Sequence, residues 1–429
     1  MLNSKTVLIG SLIAIATTLG IPVWMEYLQG GFLFYCTILL APYILYVQQK
    51  EVASTRYAWA SLISALGHLY LGMNILYLAA YLFFVLFLVE WKWGKLNALS
   101  IYWIFILSPL TVFLFSVFSF PIRLELSRLA SWLLHFIQPQ LSCQGNIILL
   151  HGTAFSVDEA CMGLNMVSYS YLVILVLIAY FEQQLKKQLA KAWIIIILSL
   201  GTVLILLANL FRIIAIILAQ AMPETFAHEA IGILSWLFYV VLPTFFLVKF
   251  VVQQWGGSPA LSAPKTLPPA LLFGLLSSCL LLLGVGSYQT LLHPPVPPLA
   301  IVPTPLNGFE QTITQGGVVQ LKNEEALIYI KPACAPYRAD HSPNICWKGS
   351  GYSFSKEQIQ TIGNRSILTA QLQKGNDILY TAWWYDNGNH QTTSQIEWRW
   401  NALKGKGHYQ LINITVEEEA LLEKYLSSF

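Results

Sequence analysis

Long apolar runs govern what this chain can become. They fall at about 6–24, 31–48, 57–91, 98–118, 163–181, 192–219, 230–250 and 268–288. Most reach the ~20 residues that a helix needs to cross a hydrocarbon core of ~30 Å. Only 10% of the 429 residues are charged and 56% are hydrophobic, whereas a soluble domain carries about 25% charged residues. Water is therefore not the sole solvent. The third run exceeds one ordinary span, and Gly72 to Asn74 interrupts it, which divides it into 57–72 and 75–91. One strongly tilted helix is the alternative. Lys5 precedes the first run, but no small-x-small cleavage site follows, and Trp24 and Met25 close it. That run reads as a membrane helix rather than a signal peptide.

The formal charge of +3 is too small to point to nucleic acid; where the positive charges fall matters more. Lys5, then Lys50 and Arg56, then Lys92 and Lys95, then Lys186, Lys187 and Lys191, then Lys249 and Lys265 mark the boundaries of the runs. Lysine and arginine accumulate on the cytoplasmic side of membrane proteins. Two spans must separate neighbouring cytoplasmic boundaries, which holds throughout only if 57–91 crosses twice. The expectation is an α-helical polytopic membrane bundle of about nine transmembrane helices with a cytoplasmic N-terminus. A C-terminal α+β soluble domain then lies outside.

Residues 119–160 become a long outer loop. Within it Leu124, Leu126, Leu129, Trp132, Leu133 and Phe136 recur at helical spacing among Arg123, Glu125 and Arg128. Such a segment either lies in the membrane interface or packs over the bundle. Ile147 to His151 is strand-like. The expected division is a membrane domain over 1–290, a stiff proline-rich linker over 291–305 and a soluble domain over 306–429. In the last, strand-like runs occupy about 317–321, 326–331, 366–372, 377–384, 395–400 and 409–415. Lys374-Gly-Asn-Asp377 reads as a hairpin turn, and Val416 to Ser427 as a closing helix with glutamates in its first turn.

Six cysteines are present. Cys36 and Cys279, inside apolar runs, read as small buried hydrophobes. Cys143 lies in a loop. Cys334 and Cys346 stand in the polar tail at a spacing that permits a disulfide in an oxidising compartment. Cys161 stands at a membrane boundary, in Glu159-Ala-Cys161-Met-Gly163-Leu-Asn165 just before the sixth span. Asn209-Leu-Phe-Arg212 lies about 20 residues into the seventh span, roughly 30 Å from its lysine-rich end at ~1.5 Å per residue. His228-Glu-Ala-Ile-Gly232 opens the eighth span from the same side.

A nucleophile, a cation and a titratable base thus reach one membrane depth. A thiolate attacks carbonyls, and a nearby histidine serves as its base or ion-pair partner. An arginine stays protonated and stabilises an oxyanion. Singly, each has a plain reading: a structural cysteine, an arginine snorkelling to headgroups, an interfacial histidine. Asn209 is one turn from Arg212 and suited to orient it. Glu159 is either a partner of Arg212 or His228 or a surface carboxylate. His68 reads as a packing residue in the third span, and His135 and His151 as solvated or interfacial. No His-Glu-x-x-His, Gly-x-Ser-x-Gly or phosphate-binding glycine loop occurs, so neither metal nor cofactor is expected.

At Ala160-Cys161, Gly163-Leu164, Asn209 with Arg212, and His228 with Gly232, the sequence resembles the exosortase/archaeosortase family of membrane cysteine transpeptidases. Met162 stands where the family pattern has a small residue, often serine. His341-Ser-Pro343-Asn-Ile-Cys346, Gly351-Tyr352, and Tyr380 to Tyr385 with Trp383 and Trp384 resemble the soluble domain fused to, or encoded with, many bacterial exosortases. The resemblance implies a bacterial inner-membrane enzyme with its active site and tail on the periplasmic side. Its substrates would be exported proteins that carry a C-terminal sorting signal. Cys161 would hold the substrate as a thioester, Arg212 stabilise the oxyanion and His228 act as acid and base. The substrate would then pass to an acceptor that the resemblance does not identify. In the tail, His341 and Cys346 form either a second reactive pair or a disulfide-bonded Cys346 beside a packing histidine.

Two rivals stand beside this. A simple protease would use the same three residues and release its product to water. A transporter or envelope-assembly scaffold would need polar residues near the bilayer midplane or broken helices, for which only His68 and the interruption at 72–74 qualify.

Overall fold

The computed structural model describes residues 4–27, 31–50, 52–108, 110–144, 147–150, 153–156, 164–222, 225–259, 266–292, 308–313, 317–332, 343–362 and 365–426. The chain forms two compact units, Met1–Leu114 with Gly163–Pro294, and Phe115–Met162 with Pro295–Phe429. Residues 115–162, assigned by sequence to a continuous 1–290 domain, thus group with the second unit. The expected linker beyond Leu292, together with Cys334, His341 and His151, lies outside the described residues.

The first unit is helical: α1 (Ser4–Tyr27), α2 (Phe32–Leu39), α3 (Ala41–Ile44), α4 (Arg56–Leu71), α5 (Asn74–Trp93) and α6 (Leu99–Leu107). The 26-residue α7 (Leu110–His135) runs from it into the second unit. Then follow α8 (Leu164–Leu185), α9 (Lys191–Leu218), α10 (Phe226–Trp236), α11 (Leu242–Trp255) and α12 (Pro269–Leu292). A π-helical turn, Leu237–Val241, joins α10 to α11 in one continuous helix. Among the described residues, five helices are long and apolar enough to cross a membrane: α5, α8, α9, the joined α10–α11 and α12. Their outward side chains, such as Phe238, Phe246, Phe273 and Leu281, are apolar and exposed, as contact with hydrocarbon requires.

The interruption at 72–74 is a helix end. Gly72 caps α4 in the left-handed region (φ 66°), and α5 starts two residues later. Two expected spans differ. The 31–48 run is no single helix: Pro42 stands at the start of α3, and the chain becomes strand β1 (Val47–Lys50). The 98–118 run is divided between α6 and α7. Ser108 is extended (ψ 152°), as the residue before a proline prefers.

One end of this unit is tied crosswise. Strand β1 pairs antiparallel with β2 (Gly94–Leu96), placing Lys50 opposite Gly94 and Gln49 opposite Lys95. Gln48 donates to the Gln188 side chain, and Gln188 and Gly257 exchange backbone hydrogen bonds. The basic clusters around residues 50, 95 and 187 therefore share an end. Nearby, the fully buried Glu90 carboxylate accepts from Arg56 Nη2 at 2.6 Å, Arg56 Nε at 3.1 Å and Leu96 N–H at 2.8 Å through one oxygen.

In the second unit, β3 (Ser142–Gln144), β4 (Ile147–Leu150) and β5 (Thr153–Ser156) form an antiparallel meander. A larger antiparallel sheet holds β6 (Glu310–Ile313), β7 (Val319–Lys322), β8 (Ala326–Pro332), β9 (Ser353–Ile362), β10 (Arg365–Lys374), β11 (Asp377–Asp386), β12 (Gln391–Thr392) and β13 (Gln410–Val416). Its order is β6-β7-β8-β13-β11-β10-β9, with β12 on β11. Helix α13 (Pro343–Gly349) precedes β9. The Lys374–Asp377 turn is a two-residue hairpin loop, and its first residue, Gly375, has φ 59°, the requirement of a II′ turn.

Helices α14 (Gln395–Leu403) and α15 (Glu419–Leu426) complete the domain. Leu422, Tyr425 and Leu426 of α15 share a core with Val319, Ile328, Trp384 and Ile414, while Trp398 of α14 shares another with Trp383, Tyr385, Tyr409 and Leu411. Residues from β11 and β13 enter both cores, so these central strands are buried on both faces, with Thr381, Asn413 and Thr415 hydrogen-bonded among the apolar side chains. Residues 395–400, expected as a strand, form helix α14. Ser394 caps it by accepting from Glu397 N–H, a capping signal that overrides the alternation of Ile396, Trp398 and Trp400. The closing helix starts at Glu419, because Val416 is still paired in β13.

Two stability tests follow. Arg56→Ala strands a buried carboxylate and costs about 3–5 kcal/mol in reversible detergent unfolding, with Arg56→Lys recovering part of it. Glu325 accepts from Lys424 at 2.8 Å and Tyr425 at 2.7 Å, and these contacts hold its carboxyl below the ordinary 4.5. A lowered carboxyl stabilises above its unfolded value and loses that contribution as pH falls through the folded one. The small difference in melting temperature between wild type and Glu325→Gln is therefore present near neutrality and closes below pH 4.5.

Candidate functional site

Helix α9 starts at Lys191 and reaches Arg212 after 21 residues, a rise of about 32 Å at 1.5 Å per residue. Arg212 thus lies at the far end from the basic, strand-tied one. Both Asn209 and Arg212 are buried, Arg212 only 7% exposed. A guanidinium this deep in an apolar helix needs built-in partners.

The next helix supplies one. Thr225 caps α10, its hydroxyl accepting from the His228 N–H at 3.3 Å. This starts the helix so that His228 and Gly232, four residues apart, lie on one face. Arg212 Nη2 lies 3.3 Å from His228 Nε2. Arginine remains protonated, so Nη2 donates and Nε2 accepts, which puts the imidazole proton on Nδ1. That Nδ1 is buried and has no hydrogen-bond partner among the described residues.

Gly232 completes the cradle. A Cβ there would sit 3.2 Å from both Cζ and Nε of Arg212, so the absent side chain is the room the guanidinium occupies. Beside it, Phe211 stacks on Tyr239, ring centroids 4.7 Å apart and 15° from parallel. Tyr239 belongs to the π turn, a distortion found often at functional sites. Sequence reading missed this pair; its signal was the adjacency of Phe211 to Arg212.

Of the expected site residues, the structure brings Arg212, His228 and Gly232 together, with Asn209 buried one turn from Arg212. Glu159, Cys161 and Gly163 lie outside the described residues. His68 is a packing residue: its Nδ1 lies 3.1 Å from the Met73 carbonyl and its Nε2 3.4 Å from that of Gly286. His135 ends α7 and is exposed. Among the described residues no cluster of three or more His, Cys, Asp or Glu side chains is disposed to hold a metal.

Comparison with curated proteins and with solved structures gave no match. A family model described as transmembrane exosortase matches residues 24–247, a stretch that contains Cys161, Asn209, Arg212, His228 and Gly232. It begins before the second apolar run, ends within α11 and covers more than half of the 429 residues; the chain belongs to the transmembrane exosortase family.

Proposed function

We propose that this membrane-embedded protein is a cysteine transpeptidase that cleaves C-terminal sorting signals of exported proteins and transfers them to an envelope acceptor. The observation that carries the reading is the contact between buried Arg212 and half-buried His228 at the end of the bundle opposite the basic clusters. A buried cation beside a histidine, cradled by a glycine, suits a reaction in which negative charge builds on a carbonyl oxygen.

In this reading the substrate carbonyl draws the Arg212 guanidinium off His228 Nε2; Cys161, ahead of α8, gives its thiol proton to that freed nitrogen, and the sulfur attacks the peptide carbonyl. Arg212 donates to the resulting oxyanion. His228 returns the proton to the leaving amine as the C–N bond breaks, leaving the substrate as a thioester on Cys161. A nucleophilic acceptor, deprotonated by His228, then attacks the thioester and frees the thiol. Water in the acceptor's place makes the same site a simple protease. Asn209 orients Arg212, and Glu159 and Gly163 shape the approach to Cys161. The bundle crosses a bacterial inner membrane about nine times, with the basic end cytoplasmic. The site and the C-terminal domain face the periplasm, where Cys334 and Cys346 form a disulfide. A cut site beside a substrate's own membrane helix fits an enzyme whose reactive groups lie at the bilayer edge.

The test is co-expression with a candidate sorting-signal protein, following the mass of its C-terminus. Wild type trims it; Cys161→Ala, inserted normally in the membrane, leaves it intact. Arg212→Ala lowers the rate about 10²–10³-fold, and His228→Ala about 10²–10⁴-fold. Equal processing by all variants would discard the assignment. The mass of the new terminus distinguishes an attached acceptor from hydrolysis. Gly232→Ala displaces the guanidinium and lowers processing at least about 10-fold, approaching the loss in Arg212→Ala.

A further inference from the structure

The face of α10 that carries His228 and Gly232 continues one turn further, to Trp236, at i, i+4 and i+8. The Trp236 indole N–H donates to Ser170 Oγ at 2.9 Å. Ser170, buried in α8, in turn donates to the Met166 carbonyl at 2.5 Å. The hydroxyl has one proton and spends it on its own helix, so its lone pair is what receives the indole. The result is a directed relay, Trp236 to Ser170 to Met166, ending in the first turn of α8. That helix starts at Leu164, three residues after Cys161.

We propose that Trp236 and Ser170 are positioning residues: they set the rotation and height of α8 against α10, and so fix where the chain delivers Cys161 relative to His228. The inference rests on the cysteine-transpeptidase reading and extends it to two residues that touch neither substrate nor reacting atoms. Apolar packing between two helices in lipid leaves sliding and rotation weakly constrained, because lipid tails are as apolar as the side chains. A hydrogen bond between one indole and one hydroxyl has a single solution. A one-residue slip moves a helix by about 1.5 Å and turns it by about 100°. Misplacement on the order of 1 Å at a reacting group costs about 10²-fold in rate.

The experiment measures alkylation of Cys161 by iodoacetamide against pH in full-length protein in micelles, read by peptide mass at that cysteine. Processing of a co-expressed substrate and melting temperature are followed in parallel. Trp236→Phe keeps an aromatic ring and removes the donor; Ser170→Ala removes the hydroxyl; Ser170→Thr keeps it. The expected result is a pH profile in Trp236→Phe and Ser170→Ala displaced toward that of His228→Ala. Processing falls about 10–100-fold, and Ser170→Thr restores the wild-type profile. If His228→Ala differs from wild type while Trp236→Phe and Ser170→Ala match wild type, the inference fails and the functional reading stands. If wild type and His228→Ala share one profile, both fall together. A lower melting temperature with an unchanged profile also overturns the inference, since it marks the pair as merely structural.

Discussion

Hydrocarbon offers no hydrogen bonds, so every polar group inside the helical unit must find its partner within the protein. That constraint orders what is seen there. Glu90 takes three donors on one oxygen, and Glu182 accepts from Tyr46 and from the Leu189 N–H. His68 sits between two carbonyls, the Tyr77 hydroxyl has its one proton to give to either the Leu19 or the Leu283 carbonyl, both within reach, and Trp103 donates to the carbonyl of Thr37. These contacts join helices that apolar packing alone would leave free to slide. Arg212 follows the same rule through His228 Nε2, with a charged group that has far more to lose from exposure to lipid, while His228 Nδ1 is left without a partner among the described residues.

The helix directions implied by the contacts agree with one another. Thr17 meets Tyr81 and Leu19 meets Tyr77, so α1 and α5 run antiparallel. Cys279 lies near the Ala58 carbonyl while Gly286 meets His68, so α12 runs parallel to α4. Tyr171 bonds Thr202 across the antiparallel α8 and α9. One basic end and one end bearing Arg212 and His228 follow from these pairings.

Much of this was legible in residues, and the failures have physical causes. Hydropathy found the long runs because burying an apolar helix needs only length and composition. It averaged over Pro42 and Pro109, each of which breaks a run that it left whole. In the tail, Ile396, Trp398 and Trp400 alternate like a strand, yet they are 81%, 0% and 43% exposed on a helix that Ser394 starts. The cap was in plain sight three residues before Glu397. Strand β9, Ser-Phe-Ser-Lys-Glu-Gln-Ile-Gln-Thr-Ile, was missed because it is an edge strand with mostly polar, exposed residues. At the site, counting residues along α9 and α10 put Arg212 and His228 at one level, where their side chains meet. It gave no rotation, which is why the service of Gly232 to Arg212 had to come from geometry.

The strand pair β1–β2 and the Gln188–Gly257 bridge sit at one end of helices whose other end holds Arg212 and His228. Mechanically the bundle is a set of levers with a common fulcrum at that tied end. Over a helix of about 30 Å, a tilt of roughly 2° about the fulcrum carries the free end by about 1 Å. The accuracy with which a guanidinium meets an imidazole is thus governed by stiffness stored a full membrane thickness away, in two short strands and a glutamine.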